Sequence, residues 1–337
     1  MGRAVIPDVL RVGDLRVTPP LLLAPMAGLT HTALRRLILG LGGVGLLSTE
    51  MLSARALPGE PADHPFLARH PEERPLSWQI LAARPEEVPP ALDRLHALGA
   101  DAVDLNLGCP AVAARKRGGG AFLAADPPRA RAVVREARRR TRLPLSAKIR
   151  LGERLDEGPL RDLCRMLEDE GADLITVHAR LRGERYGRRP RWDWIRKVKG
   201  WVSVPVVGNG GIFSAGDARR CLREARCDGL MIGRGAARRP WVFALIARDL
   251  WGAGPPPPPP PAAMLYRRFV RLLEESFPPE RRLGRLKEFT HHFSCNFPFG
   301  HCLASRVQSS PTVEEAVSRA LRFFEENGSP WLDRASP

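Results

Sequence analysis

Chemistry in this chain can be built around Cys109. It follows Asp104-Leu105-Asn106-Leu107-Gly108 and precedes Pro110, and the basic run Arg115-Lys116-Arg117 leads on to Gly118-Gly119-Gly120. The apolar alternation from Ala102 to Leu107 reads as a short buried strand, and Pro110 with the triple glycine predicts that no regular element continues from it. A thiol at the mouth of a strand, on a loop held by a rigid scaffold, is placed to reach a substrate. The plain alternative is a small apolar residue filling a turn. A thiol in water titrates at about pH 8.5, so a cysteine can give up a proton as a general acid at neutral pH without tuning. Work as a nucleophile would need a depressed pKa. Other polar or glycine-rich groups end other apolar runs: Pro25-Met26, Gln79, Lys148 with Arg150, His178, Asn209-Gly210-Gly211 and Gly233-Arg234.

The elements that position these groups repeat one alternation, from Leu21 to about Arg234. Short apolar runs at Leu21 to Met26, Gly45 to Met51, Leu76 to Leu81, Ala102 to Leu107, Pro144 to Ile149, Asp173 to His178, Val204 to Val207 and Gly229 to Ile232 predict eight strands. Amphipathic stretches at His31 to Leu39, Pro85 to Leu98, Asp126 to Arg140, Pro159 to Glu170, Trp192 to Lys199 and Ser214 to Glu224 predict the helices between them. Strict alternation implies an α/β fold with a parallel sheet, and eight strands are the number that closes a TIM barrel. A doubly wound open sheet is the competitor, and would gather its working groups near one switch point. Here such groups stand at nearly every strand mouth, which favours the (β/α)8 barrel. Taken singly, each has a plain reading as a solvated edge or a satisfied core residue.

Glycine pairs after the last two strands, Gly208-Asn209-Gly210-Gly211 and Gly233-Arg234-Gly235, let backbone N–H groups approach a phosphate, and this quarter of a barrel is the usual phosphate site. A cofactor held there would extend toward Gln79 and Lys148, whose amide and ammonium suit the edge of a flavin ring. No Rossmann fingerprint opens a helix, so a mononucleotide such as FMN fits better than a tightly held dinucleotide.

Net charge is +16 over 337 residues, and nearly all the cations are arginine. Arginine holds phosphate bidentately and stacks on bases, so the excess points to a polyanion, most simply nucleic acid. The competing account is compositional bias spread over a solvated surface. Clustering weighs against it: Arg180, Arg182, Arg185, Arg188, Arg189 and Arg191 crowd one loop with only Glu184 opposing. The six cysteines form no C-x-x-C pair and no signal-like or membrane-length apolar run is present, so reduced thiols in a soluble cytoplasmic protein are predicted. After Trp251 the prolines 255–261 predict a stiff spacer rising about 3.1 Å per residue. Beyond it, helical periodicity at Met264 to Glu275, Arg285 to Phe293 and Thr312 to Glu326 implies a small helical domain with Phe289, Phe293, Phe297 and Phe299 in its core. The boundaries read as a barrel over 1–250, a linker over 251–262 and a helical domain over 263–337. His291, His292, Cys295, His301 and Cys302 fit no standard zinc spacing, so no metal is predicted.

Taken together, Leu23-Ala-Pro-Met-Ala-Gly-Leu-Thr30, Leu105-Asn-Leu-Gly-Cys-Pro110, Ala147-Lys-Ile-Arg-Leu-Gly152, Thr176-Val-His-Ala-Arg180, Val207-Gly-Asn-Gly-Gly-Ile212 and Met231-Ile-Gly-Arg-Gly235 resemble the dihydrouridine synthases, flavin enzymes that reduce uridine in tRNA. The resemblance covers about residues 20 to 250, with the tail resembling the family's RNA-binding appendix more loosely. It implies FMN contacts at Pro25, Met26, Gln79, Lys148, His178, Asn209, Gly210, Gly211, Gly233 and Arg234, a proton donor at Cys109, and uracil neighbours at Asn106 and Arg150. Arg180 and Arg182 open the cationic loop and are the nearest candidates for RNA. The family often has aspartate where Gly211 stands, and glycine meets the same turn geometry. NADPH would visit as reductant, tRNA or another structured RNA would be the partner, and no protein partner is implied. Two readings compete: a flavin barrel acting on a free small molecule, in the manner of dihydroorotate dehydrogenases or ene-reductases, and a non-catalytic RNA-binding factor.

Overall fold

A computed structural model describes residues 7–185, 187–252 and 260–327. The chain enters through a hairpin of β1 (Leu10–Val12) and β2 (Leu15–Val17), paired antiparallel around Gly13-Asp14. This hairpin lies outside the predicted alternation, although Leu10, Val12, Leu15 and Val17 alternate around a glycine-aspartate turn. The units that follow are β3 (Leu21–Leu23) with α1 (Thr32–Leu39), and β4 (Leu47–Ser48) with its continuation β5 (Leu52–Ser53). Next are β6 (Leu76–Leu81) with α2 (Val88–Ala97), and β7 (Ala102–Leu107) with α3 (Val112–Arg117) and α4 (Pro127–Arg140). They are succeeded by β8 (Leu145–Arg150) with α5 (Glu157–Asp169), and β9 (Leu174–His178) with α6 (Trp192–Lys199). The last units are β10 (Val206–Asn209) with α7 (Ala215–Ala225), and β11 (Gly229–Ile232) with α8 (Arg234–Arg238) and α9 (Val242–Trp251).

The strands lie parallel in the order β3-β11-β10-β9-β8-β7-β6-β4, and a parallel bridge between Leu22 and Leu46 joins the two ends. The sheet is therefore a barrel and not an open doubly wound sheet. Period-two alternation decides what enters the lumen. Leu10, Val12 and Val17 of the hairpin cluster with Leu22, Leu46, Leu174, Val207 and Met231, so the hairpin plugs the amino-terminal end of the barrel with apolar surface. Above this layer the lumen turns polar, with Asp104, Ser146 and Thr176 buried, which leaves the carboxyl-terminal end as the place for chemistry. The alternate residues of each strand pack outward against the helices, as Trp78, Val103, Leu105, Ala147 and Ile149 do at essentially zero exposure.

Helix starts follow their caps. Asp126 accepts the Arg129 N–H and precedes proline in the first turn of α4, and Ser214 Oγ accepts the Asp217 N–H at α7. The strand predicted at Val204 to Val207 is displaced to Val206–Asn209, so Asn209 lies on β10 itself. The prediction that nothing regular follows Pro110 is corrected by α3, one and a half turns ending at Gly118 in the left-handed region (φ 73°). Pro110 precedes the helix without blocking it, because proline does not obstruct what comes after it.

The tail is α10 (Ala262–Ser276), α11 (Arg282–Phe293), α12 (Gly300–Gln308) and α13 (Val313–Asn327). Of the predicted proline spacer, residues 253–259 lie outside the described residues, as do 328–337. The tail packs on the mouth of the barrel: α10 lies along α1, with the His31 ring against Phe269 and Phe277, and α11 lies on α8. Asn296 accepts from Arg239 Nε at 3.0 Å and donates to the Arg238 carbonyl at 2.6 Å. Phe289, Phe293 and Phe297 are buried in a core continuous with the outer shell of the barrel. Phe299 is instead 68% exposed, since its left-handed backbone (φ 57°) turns it away at the start of α12.

Candidate active site

A cavity of about 570 Å³ opens at the carboxyl-terminal end of the barrel, lined from several strands at once. Met26 comes from the β3 mouth, Gln79 from β6, Asn106 and Cys109 from β7 and its loop, Lys148 and Arg150 from β8, His178 from β9, Asn209 from β10, and Gly233 and Arg234 from the turn after β11. Strand register makes the set coherent. Asn106, Lys148 and Thr176 are side by side, and one layer higher Arg150, His178, Asn209 and Met231 are side by side.

Cys109 is held from three sides. Its N–H donates to Asn106 Oδ1 at 2.9 Å, beside the Gly108 N–H at 3.1 Å, and its carbonyl accepts from Ala121 N at 3.0 Å. Gly120 lies so close that a Cβ there would stand 2.6 Å from the Cys109 carbonyl oxygen, which explains one glycine of the triple run by packing. Cys109 is partly exposed, on the cavity wall.

Asn106 is occupied by this duty. Its Nδ2 donates to Gln79 Oε1 at 2.8 Å and faces Met51 Sδ at 3.2 Å, while its Oδ1 takes the two backbone N–H groups. An amide has two donors and two acceptor sites, so the side chain is fully engaged within the protein. Gln79 Nε2 in turn donates at 2.6 Å to Asp104, a buried carboxylate that sequence reasoning passes over.

Lys148 is a cation whose titration is displaced by the cavity. Burial brings its ammonium down from 10.5 to about 8; Asp104 and Cys109 act to raise it, and Arg150 lowers it further. Its Nζ donates to Asn209 Oδ1 at 3.2 Å, and Asn209 Nδ2 donates to the Met231 carbonyl at 2.7 Å. Burial, then Lys148, Arg150, Arg180 and Arg234, hold His178 well below the ordinary histidine range, so it is a neutral imidazole. Arg180 Nη1 stands 3.0 Å from His178 Nε2, an arrangement in which the ring nitrogen accepts.

Gly210 and Gly211 have φ of 113° and 74°, conformations that L side chains rarely adopt. A Cβ on Gly210 would meet the His178 ring and Arg180, whereas one on Gly211 would meet Pro190. Gly208 faces away from the cavity, toward Cys221 and Cys227. Gly233, with Met26 Sδ 3.3 Å from where its Cβ would lie, and Arg234 close the same end.

The cationic loop divides. Arg180 is 2% exposed and donates to the Arg188 carbonyl while lining the cavity. Arg182 lies outside the cavity lining, paired with Glu153 at 2.6 Å and stacked on Phe122. Arg191 is bound by Glu184, whose carboxyl is drawn down to about 2 by that pairing. Arg185, Arg188 and Arg189 are exposed. Rim residues that the sequence does not single out are Met51, Phe213 and, from α11, Glu288. His291 and His292 of α11 also reach the rim. Sequence weighs these paired histidines only as metal ligands; their other signal is a position on a helix that the tail folds over the mouth.

Known proteins resemble this chain in sequence and in fold. The family model described as dihydrouridine synthase (Dus) matches residues 22–295. The probable tRNA-dihydrouridine synthase 1 of Synechocystis sp. is 35% identical over 69% of this chain and 66% of its own length. The probable tRNA-dihydrouridine synthase of Mycobacterium tuberculosis is 34% identical over 93% of this chain and 84% of its own. The tRNA-dihydrouridine(16) synthase of Aquipseudomonas alcaligenes is 34% identical over 87% and 96%. Among solved structures, a 2-naphthoyl-CoA reductase complex superposes with a TM-score of 0.54 at 13% identity, over 70% of this chain and 51% of that one, a likeness of fold. The histamine dehydrogenase of Rhizobium sp. 4-9 does so at 0.55 and 15%, over 72% and 48%. The family match spans most of the barrel and reaches into the tail, and the chain belongs to the dihydrouridine synthase family.

Proposed function

We propose that this protein reduces uridine to 5,6-dihydrouridine in tRNA, with FMN as resident cofactor and NADPH as its visiting reductant. The observation that carries the reading is one cavity lined together by the partly exposed Cys109, by the cations Lys148, Arg150, Arg180 and Arg234, and by the glycine turns after β10 and β11. Its residues suit FMN. The donors Lys148, Asn209 and Arg234 are gathered there, Gly210 and Gly211 line it with backbone alone, and the volume lies within the range of about 300–1,000 Å³ usual for such ligands.

When bound and reduced, the flavin supplies the hydride that saturates C6 of the pyrimidine. Cys109 gives the proton to C5, from a loop fixed by Asn106 and Gly120. Arg150, donating to the Leu181 carbonyl at 3.0 Å and reaching the cavity, and protonated Lys148 hold negative charge near the carbonyls of the base. Neutral His178, oriented by Arg180, lines the same cavity without adding a further charge. Arg185, Arg188 and Arg189 face solvent and are suited to phosphates of the RNA.

The test is conversion of unmodified tRNA by the purified protein with NADPH, read as the mass gain of two hydrogens on uridine. Cys109→Ala should slow conversion about 10²–10⁴-fold, the range for loss of a general acid, with flavin content unchanged. Full activity in that variant, or a colourless protein that still binds RNA, would refute the reading.

A further inference from the structure

Asp104 does not line the cavity. It is 4% exposed, on the lumen side of β7, one alternation below Asn106. Both of its oxygens accept: Oδ1 from Ser146 Oγ at 2.6 Å and Oδ2 from Gln79 Nε2 at 2.6 Å. Gln79 Oε1 then accepts from Asn106 Nδ2 at 2.8 Å, and Asn106 Oδ1 accepts from the N–H groups of Gly108 and Cys109. A continuous chain of side-chain hydrogen bonds thus runs from a buried carboxylate on the barrel axis to the backbone of the thiol loop.

The direction of each link is set by the one below it. A carboxylate has no donor, so Gln79 must turn its NH₂ toward Asp104 and its oxygen upward. That oxygen requires the NH₂ of Asn106, which leaves Asn106 Oδ1 aimed at the loop. An amide reversed at any point would set two donors or two acceptors face to face inside a buried network, where unmatched polar groups are costly.

We propose that Asp104 is a positioning residue for Cys109, acting through Gln79 and Asn106 to fix the loop that presents the thiol to the base. The consequence for catalysis rests on the reading of Cys109 as proton donor, but the mechanical claim can be tested apart from it. The assay is the rate at which iodoacetamide alkylates Cys109 in the purified protein without RNA, resolved by peptide mass mapping. The exposed Cys295 and half-buried Cys302 serve as internal controls.

Asp104→Ala should release the loop and speed Cys109 alkylation about tenfold, a coupling within the range seen for residues of one network, with Cys295 unchanged. Asn106→Ala should do the same, and the double variant should be no faster than either single one. Asp104→Asn keeps an acceptor for Gln79 and should stay within about threefold of the parent. Where Asp104→Ala does not fold, Gln79→Leu cuts the chain at its middle while leaving the Asp104–Ser146 bond, and should reproduce the acceleration. An unchanged Cys109 rate in these variants, additive effects of Asp104 and Asn106, or no rescue by asparagine would overturn the proposal. Intact coupling in a protein that leaves uridine unreduced would overturn the function above and leave this inference standing.

Discussion

Replacing Lys148 by methionine should remove a pH-dependent penalty on the folded state while impairing the protein. The unfolded chain keeps a proton on Lys148 up to 10.5, the folded one only up to about 8, because burial outweighs the attraction of Asp104. Below pH 8 both states are charged and the folded state bears the whole penalty. Between about 8 and 10.5 the unfolded state binds more protons, so stability rises with pH and the penalty fades. At about 1.36 kcal/mol per pH unit the full cost is on the order of 3 kcal/mol. Lys148 is partly open to cavity water, so roughly half of that, about 1–2 kcal/mol, survives screening. Methionine also forfeits the 3.2 Å bond to Asn209, and a hydrogen bond from a charged group is worth about 1.5–3 kcal/mol. It removes as well a cation that helps draw down the Asp104 pKa, which burial raises. The two main contributions nearly cancel at pH 7, so the signature is the pH dependence: relative to the parent, the variant should lose roughly 1 kcal/mol between pH 7 and pH 10, read from urea unfolding of cofactor-stripped protein at both pH values. Flavin retention should fall in the same variant, as removing a destabilising functional group usually implies. A variant whose stability difference from the parent is the same at both pH values would refute the electrostatic account of this cavity.

Other consequences are independent of that one. Arg35 and Glu73 form an ion pair at 1% and 0% side-chain exposure, and Arg35 also donates to the carbonyls of Thr30 and Ala68. Glu73→Gln should therefore cost about 3–5 kcal/mol in thermal or urea unfolding, since it strands a buried guanidinium; a loss below about 1 kcal/mol would show that water reaches the site. Glu184 ties Arg191 and the Leu181 N–H, and its lowered pKa means that this tie is complete above about 4.5 and lost as pH falls toward about 2. Trp192 fluorescence should follow that loss in the parent and not in Glu184→Gln. Charge reversal at Arg185, Arg188 and Arg189 should weaken tRNA binding and flatten its salt dependence, by about 0.7–0.9 in log–log slope for each phosphate no longer neutralised, with flavin content as the control.

The fold is legible in the sequence because two periods alternate through the chain and the strand mouths share one kind of residue. Ala102–Leu107, Leu76–Leu81, Gly229–Ile232 and Trp192–Lys199 fall where apolar spacing places them. The hairpin escapes that reading because it belongs to no strand-helix unit, and α3 because Pro110 and the glycines look like a barrier. The glycines in fact cap that helix at Gly118 and admit the Cys109 backbone at Gly120. The helix α12 escapes for a related reason: His301 and Cys302 draw attention as ligands, and the left-handed Phe299 that starts the helix has no composition signal.

What sequence cannot apportion is duty within the cavity. Asn106, Gln79 and Asp104 are all polar, all at lumen positions of adjacent strands, and spacing alone gives them equal claims on a ligand. Hydrogen-bond accounting separates them. Asn106 has no valence left over, Gln79 keeps one N–H and one lone pair, and Asp104 is sealed beneath both. Cys109, Lys148, Arg150, Arg180 and Arg234 line the cavity, a thiol and four cations. That division fits a reaction in which negative charge builds on a pyrimidine and is quenched by a proton from one side. A site built to bind a ligand without transforming it would have no need to hold a thiol on a three-point mount while committing a buried carboxylate to do so.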